Sequence, residues 1–111
     1  MKKSRWITVI IITAILILSY FILTKKNPQM PEDLAKCIGE NSILYIQNGC
    51  IHCINQEKIF GENFKFLNYV NCTNNWDACA EILGTPTWII NKEKHVGVQK
   101  IERLQELTGC K

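Results

Sequence analysis

The sequence predicts a mixed α/β layered domain carried behind a single apolar helix. Three observations predict it. Trp6 to Leu23 is an uncharged run of 18 residues near the N-terminus. The remainder alternates helical and extended patterns in the order helix, strand, helix, strand, helix, strand, strand, helix. Finally, the pair Cys50-Ile51-His52-Cys53 falls where the first strand gives way to a helix.

The apolar run comes first in chain order. At 1.5 Å per residue it spans about 27 Å, close to the roughly 30 Å hydrocarbon core of a bilayer. A cleaved signal peptide shares the basic start but has a shorter apolar stretch and a small-residue cleavage site, which is lacking here. An uncleaved anchor over residues 1–24 is therefore expected. Lys2, Lys3 and Arg5 account for the net charge of +3, because the chain from Lys25 onward carries ten basic and ten acidic side chains. That balance excludes a basic nucleic-acid-binding face. Basic residues before the span favour a cytoplasmic N-terminus and an exported remainder. The six cysteines agree, since small exported domains are commonly stapled by disulfides.

Lys25 to Pro31 reads as a short polar linker, and residues 32–111 as the folded domain. Pro31-Glu32-Asp33 starts a helix whose apolar face is Leu34, Ala35, Cys37 and Ile38, with Gly39 as its stop. Ile43-Leu44-Tyr45-Ile46 is a buried strand. A helix from Ile51 to Phe60 follows, closed by Gly61. Phe66 to Val70 is a second strand, and Trp76 to Leu83 a short helix. Thr87-Trp88-Ile89-Ile90 and His95 to Val98 form two further strands around a turn at Asn91-Lys92-Glu93. Ile101, Leu104 and Leu107 lie at helical spacing on a final helix capped by Gly109.

The Cys-x-x-Cys pair carries the chemistry. A cysteine at a helix N-terminus feels the positive end of the helix dipole and unpaired backbone N–H groups, both of which stabilise the thiolate. Cys50 is that residue and attacks or is attacked; Cys53, one turn inward, resolves the mixed disulfide. His52 between them offers positive charge or a hydrogen bond to tune the pair. A better-stabilised thiolate makes the disulfide more oxidising.

Together with Gly84-Thr85-Pro86-Thr87-Trp88 at the mouth of a strand, this pair resembles the thioredoxin superfamily. The resemblance implies a thioredoxin-like fold, a cis Pro86 facing the dithiol, and a Thr85 whose backbone groups hold a substrate strand. Within that superfamily, four motifs resemble the thioredoxin-like domain fused to or paired with bacterial and archaeal homologues of vitamin K epoxide reductase. They are Glu57-Lys58-Ile59-Phe60-Gly61, Tyr69-Val70-Asn71-Cys72, Pro86-Thr87-Trp88 and Leu107-Thr108-Gly109-Cys110. The likeness covers roughly Asp33 to Cys110. It implies passage of electrons from cysteines of exported proteins to a quinone-linked membrane partner, with no dissociable cofactor. The chain departs from the pattern at Ile51, where proline is common, and at Gly49, where thioredoxins carry tryptophan. Its first strand also lacks the buried acid of thioredoxins, which tells against a thioredoxin-like reductase.

The remaining cysteines allow three pairings. Cys72 and Cys79 bracket a short polar loop and are the obvious local pair, and a Cys37–Cys110 bridge ties both ends of the domain together. The resemblance is consistent with both. Two other roles compete: Cys72 and Cys79 as a redox relay, or with Cys50 and Cys53 as four thiolates for zinc, although six intervening residues are wide for a zinc knuckle. The expectation is a membrane-tethered thiol–disulfide oxidoreductase promoting disulfide formation in exported proteins. The alternatives are an extracytoplasmic reductase or isomerase, and a non-catalytic disulfide-stapled binding module.

Overall fold

Lys2–Thr24 forms one continuous helix, α1, none of whose residues is buried. At 1.5 Å per residue its 23 residues reach about 34 Å, enough to cross a bilayer. Its few hydroxyls are turned back onto the helix: Thr8, Ser19 and Thr24 donate to the carbonyls of Ser4, Ile15 and Tyr20 at 3.0, 2.8 and 2.8 Å. Such back-bonding satisfies these donors within the helix, as a hydrocarbon surrounding requires. Among the described residues α1 is the one helix long and apolar enough to span a membrane.

The computed structural model describes residues 1–24 and 30–111. Most of the expected linker lies outside the described residues, but its end does not. Met30 is buried in the core, and its carbonyl accepts from Asn63 Nδ2 at 2.6 Å. Met30 thus packs with the folded domain.

Helix α2 (Glu32–Glu40) has acids in its first turn, favourable to the helix dipole, and buries Leu34, Ala35, Ile38 and Gly39. Gly39 is not its stop. A Cβ there would collide with the Phe66 carbonyl oxygen and stand 3.1 Å from the Leu67 Cα, so the glycine lets α2 press against the following backbone. The helix ends instead at Asn41, whose Nδ2 donates to the Cys37 carbonyl at 2.8 Å.

Strand β1 (Ile43–Ile46) runs parallel to β2 (Tyr69–Asn71), joined through helix α3 (Ile51–Phe60) and a 3₁₀ turn, Gly61–Phe66. β1 also pairs antiparallel with β3 (Thr87–Ile90), which pairs antiparallel with β4 (Glu93–Val96), so the sheet order is β2-β1-β3-β4. Asn91 and Lys92, both at positive φ, make the two-residue hairpin turn whose twist suits antiparallel strands. Helix α4 (Ile101–Thr108) closes the chain, with Gly109 left-handed at its cap. A mixed four-stranded sheet flanked by helices is a thioredoxin-like architecture, as expected.

Alternation on the strands sends Leu44, Ile46, Trp88 and Ile90 into one core with Ile38, Phe60 and Leu104. The Phe60 and Trp88 rings meet there with centroids 5.9 Å apart.

Three expected elements shift. Phe66 ends the 3₁₀ turn, which the Leu67 N–H closes on the Phe64 carbonyl at 3.0 Å, so the strand starts later, at Tyr69. β4 begins at Glu93, immediately after the two-residue turn, and gives way to Gly97 at φ +96°. The expected helix over Trp76 to Leu83 is a succession of turns. Trp76 is 74% exposed and Leu83 99%, so apart from Cys79 this stretch buries little, and a helix this short does not stand on propensity alone.

Candidate active site

The turn from β1 into α3 builds the site. Gly49, at φ +74°, reverses the chain, and the Cys50 N–H donates to the Gln47 carbonyl at 3.3 Å. Cys50 is then the N-cap residue of α3 with extended backbone, and its sulfur accepts the Cys53 N–H at 3.1 Å. A sulfur in that place takes up one of the helix's unpaired N–H groups and sits at the positive end of the dipole. Cys50 and Cys53 are joined as a disulfide, with Cα atoms 5.2 Å apart. Cys50 is half-buried, whereas Cys53 is only 2% exposed, so an incoming thiolate meets Cys50 first.

Across from the dithiol lies the segment entering β3. The Thr85–Pro86 peptide is cis, and the Thr85 carbonyl oxygen is 3.5 Å from the Cys50 sulfur. Pro86 is held by the Gly97 N–H on its carbonyl at 2.8 Å, and Thr87 Oγ1 donates to the Gly84 carbonyl at 2.6 Å. The structure therefore brings Cys50, Cys53, Thr85 and Pro86 to one place. His52 stands on the first turn of α3 with its side chain exposed.

The other four cysteines form the bridges Cys37–Cys110 and Cys72–Cys79, with Cα separations of 5.9 and 5.8 Å. The first joins α2 to the chain end. The second closes the turns that follow β2, and that loop forms a shallow groove lined by Cys72, Trp76, Cys79, Leu83, Gln47 and Thr85. Trp76 is thus a groove wall and Trp88 a core residue. Among the described residues no group of three or more His, Cys, Asp or Glu side chains is placed to hold a metal.

Sequence reasoning missed two supports of the site. Asn71 Nδ2 donates to Asn48 Oδ1 at 2.8 Å, and Thr73 Oγ1 accepts the Asn48 N–H at 2.8 Å, tying the loop before Cys50 to the bridged loop. Gln56, on α3, is fully buried and hydrogen-bonded. The polar residues in a β-turn-like Gln47-Asn48-Gly49 were a signal for the first; Gln56 had none, since a glutamine on a helix is ordinarily exposed.

No family model matches the chain. Thiol-disulfide oxidoreductase LTO1 of Arabidopsis thaliana is 37% identical over 106 residues, covering 83% of this chain. The resemblance is to a thiol–disulfide oxidoreductase. The chain spans 28% of that relative's length.

Proposed function

We propose that this chain is a membrane-tethered thiol–disulfide oxidoreductase that forms disulfides in exported proteins. The observation that carries the reading is the bridged Cys50–Cys53 pair at the head of α3, facing the Thr85–Pro86 segment. A thiolate of a reduced substrate attacks the Cys50 sulfur. The Cys50–Cys53 bond breaks, a substrate–Cys50 disulfide forms, and Cys53 leaves as a thiolate that takes up a proton. The second substrate thiolate then attacks the substrate sulfur bonded to Cys50. The substrate leaves with a disulfide, and Cys50 departs as a thiolate stabilised by the N-terminus of α3. Two electrons have passed from the substrate to the pair, with one of the substrate's two thiol protons on Cys53 and the other released to water.

Regeneration needs an acceptor. We infer a quinone-linked membrane protein like vitamin K epoxide reductase, a reading supported by the motifs around Glu57, Tyr69 and Leu107 and by the apolar helix α1. Placement outside the cytoplasm is supported by the basic residues ahead of α1 and by three disulfides in so small a domain.

The test is the reduction potential of Cys50–Cys53, read on the full chain in detergent micelles by equilibration with glutathione and alkylation of freed thiols. The expected value is about −120 to −180 mV, the range of disulfide donors. A thioredoxin-like value near −270 mV would overturn the oxidant and leave the reductase in its place.

A further inference from the structure

The dithiol helix is held from behind by one polar side chain. Gln56 lies one turn after Cys53, so the two share the face of α3 that enters the core; Gln56 is 0% exposed and Cys53 2%. A buried carboxamide without partners is strongly unfavourable, and this one has partners at both ends. Its Oε1 accepts from the Trp88 indole Nε1–H at 3.0 Å and from the Gln99 backbone N–H at 2.7 Å. Its Nε2 donates to the Gln99 carbonyl at 3.0 Å. Two donors facing one atom identify that atom as the oxygen, which fixes the amide's orientation.

These partners converge on the segment opposite the cysteines. Trp88 follows Pro86 by two positions on β3. Gln99 ends the short stretch that begins at Gly97, whose N–H holds the Pro86 carbonyl at 2.8 Å. A closed circuit therefore runs from α3 through Gln56 to Gln99, Gly97 and Pro86, and a second returns through Trp88. On the far side of the same gap, the Cys50 sulfur stands 3.5 Å from the Thr85 carbonyl. The chemistry of the spot selects an amide. A hydrocarbon would leave three backbone and indole groups without partners, and an ionised carboxylate would face the Gln99 carbonyl with no proton to give.

We propose that Gln56 is a positioning residue for disulfide exchange: its carboxamide locks the head of α3 against the Thr85–Pro86 segment and so sets the reactivity of Cys50. This rests on the exchange reading above. Attack on a disulfide requires the incoming and outgoing sulfurs in line, and a displacement of about 1 Å at a reacting centre costs up to about 100-fold in rate. A tilt of α3 displaces Cys50 and Cys53 together.

The experiment uses the full chain in detergent micelles, as wild type and as Gln56→Met, Gln56→Glu and Trp88→Phe. Iodoacetamide alkylation of reduced Cys50 is followed against pH, the glutathione equilibrium is measured, and stability to urea is read separately. Gln56→Met is expected to slow Cys50 alkylation at neutral pH by at least about fivefold and to shift the glutathione equilibrium. Trp88→Phe, which removes one of the three bonds, moves both readouts the same way by less. Gln56→Glu adds a step to the alkylation profile, absent from wild type, where the new carboxyl loses the proton it gives to Gln99. A Gln56→Met protein of lower stability but unchanged alkylation profile and equilibrium would show a merely structural role and overturn the proposal. If that variant does not fold, wild-type values in both Trp88→Phe and Gln56→Glu overturn it equally. A wild type that never equilibrates with glutathione sinks the exchange reading itself, an outcome distinct from variants that match an active wild type.

Discussion

At the scale of single residues, the two cysteines of the pair differ by burial more than by chemistry. Cys53 is 2% exposed and under the helix, Cys50 half-buried at the mouth. Cys50→Ser should abolish exchange, whereas Cys53→Ser leaves Cys50 as a free thiolate that attacks the disulfide of an oxidised substrate or of oxidised glutathione and, with no resolving thiol, accumulates Cys50-linked mixed disulfides, visible by mass spectrometry without reductant. His52 is exposed, so any charge or hydrogen bond it offers is shared with water. By the modest worth of exposed electrostatic contacts, His52→Ala should change the glutathione equilibrium constant by less than about fivefold. A larger change would make His52 part of the machinery and not an adjuster of it.

Among the elements, α2 shows how a backbone contact outranks propensity. Replacing Gly39 by alanine favours the helix by about 0.8–1 kcal/mol. The added methyl, however, meets the Phe66 carbonyl and the Leu67 Cα, which are backbone and cannot swing away. Overpacking of that kind costs about 1–3 kcal/mol, so Gly39→Ala should be net destabilising and lower the urea midpoint. The bridged loop after β2 shows the opposite case. Its turns bury little, and the bridge over seven positions gives them shape. In the chain-entropy model, replacing Cys72 and Cys79 with serine should cost about 2–3 kcal/mol while leaving the core intact.

For the whole molecule, the Cys37–Cys110 bridge has the greater weight. It spans 73 positions and ties α2 to the second residue after α4. The same model assigns a loop of that length about 4 kcal/mol, a large share of the roughly 5–15 kcal/mol that holds a domain folded. The double serine variant should therefore show the largest drop in urea midpoint of the three bridges. Beyond the domain, α1 exposes isoleucine, leucine and phenylalanine on every side. The full chain should stay with membranes through alkaline carbonate washing, and a chain lacking residues 1–24 should be released. Protease added to intact cells should reach the domain if it faces outward.

Much of this was legible in the sequence because its signals are local. An uncharged run long enough for a bilayer, β-branched runs at Ile43 and Thr87, and a cysteine pair at a strand-to-helix turn depend only on neighbours in the chain. The limits of α3 and β3 were legible for the same reason. Where pairing partners decide an element's edge, the reading slipped: β2 and β4 moved, and the turns over Trp76 to Leu83 replaced a helix. What only the tertiary structure decided are contacts between distant positions. Gly39 owes its role to Phe66, and Gln56 to Trp88 and Gln99, which are 32 and 43 positions away. Burial and hydrogen-bond partners of a side chain arise when separate elements meet, and no local pattern encodes which carbonyl or indole will stand across the core.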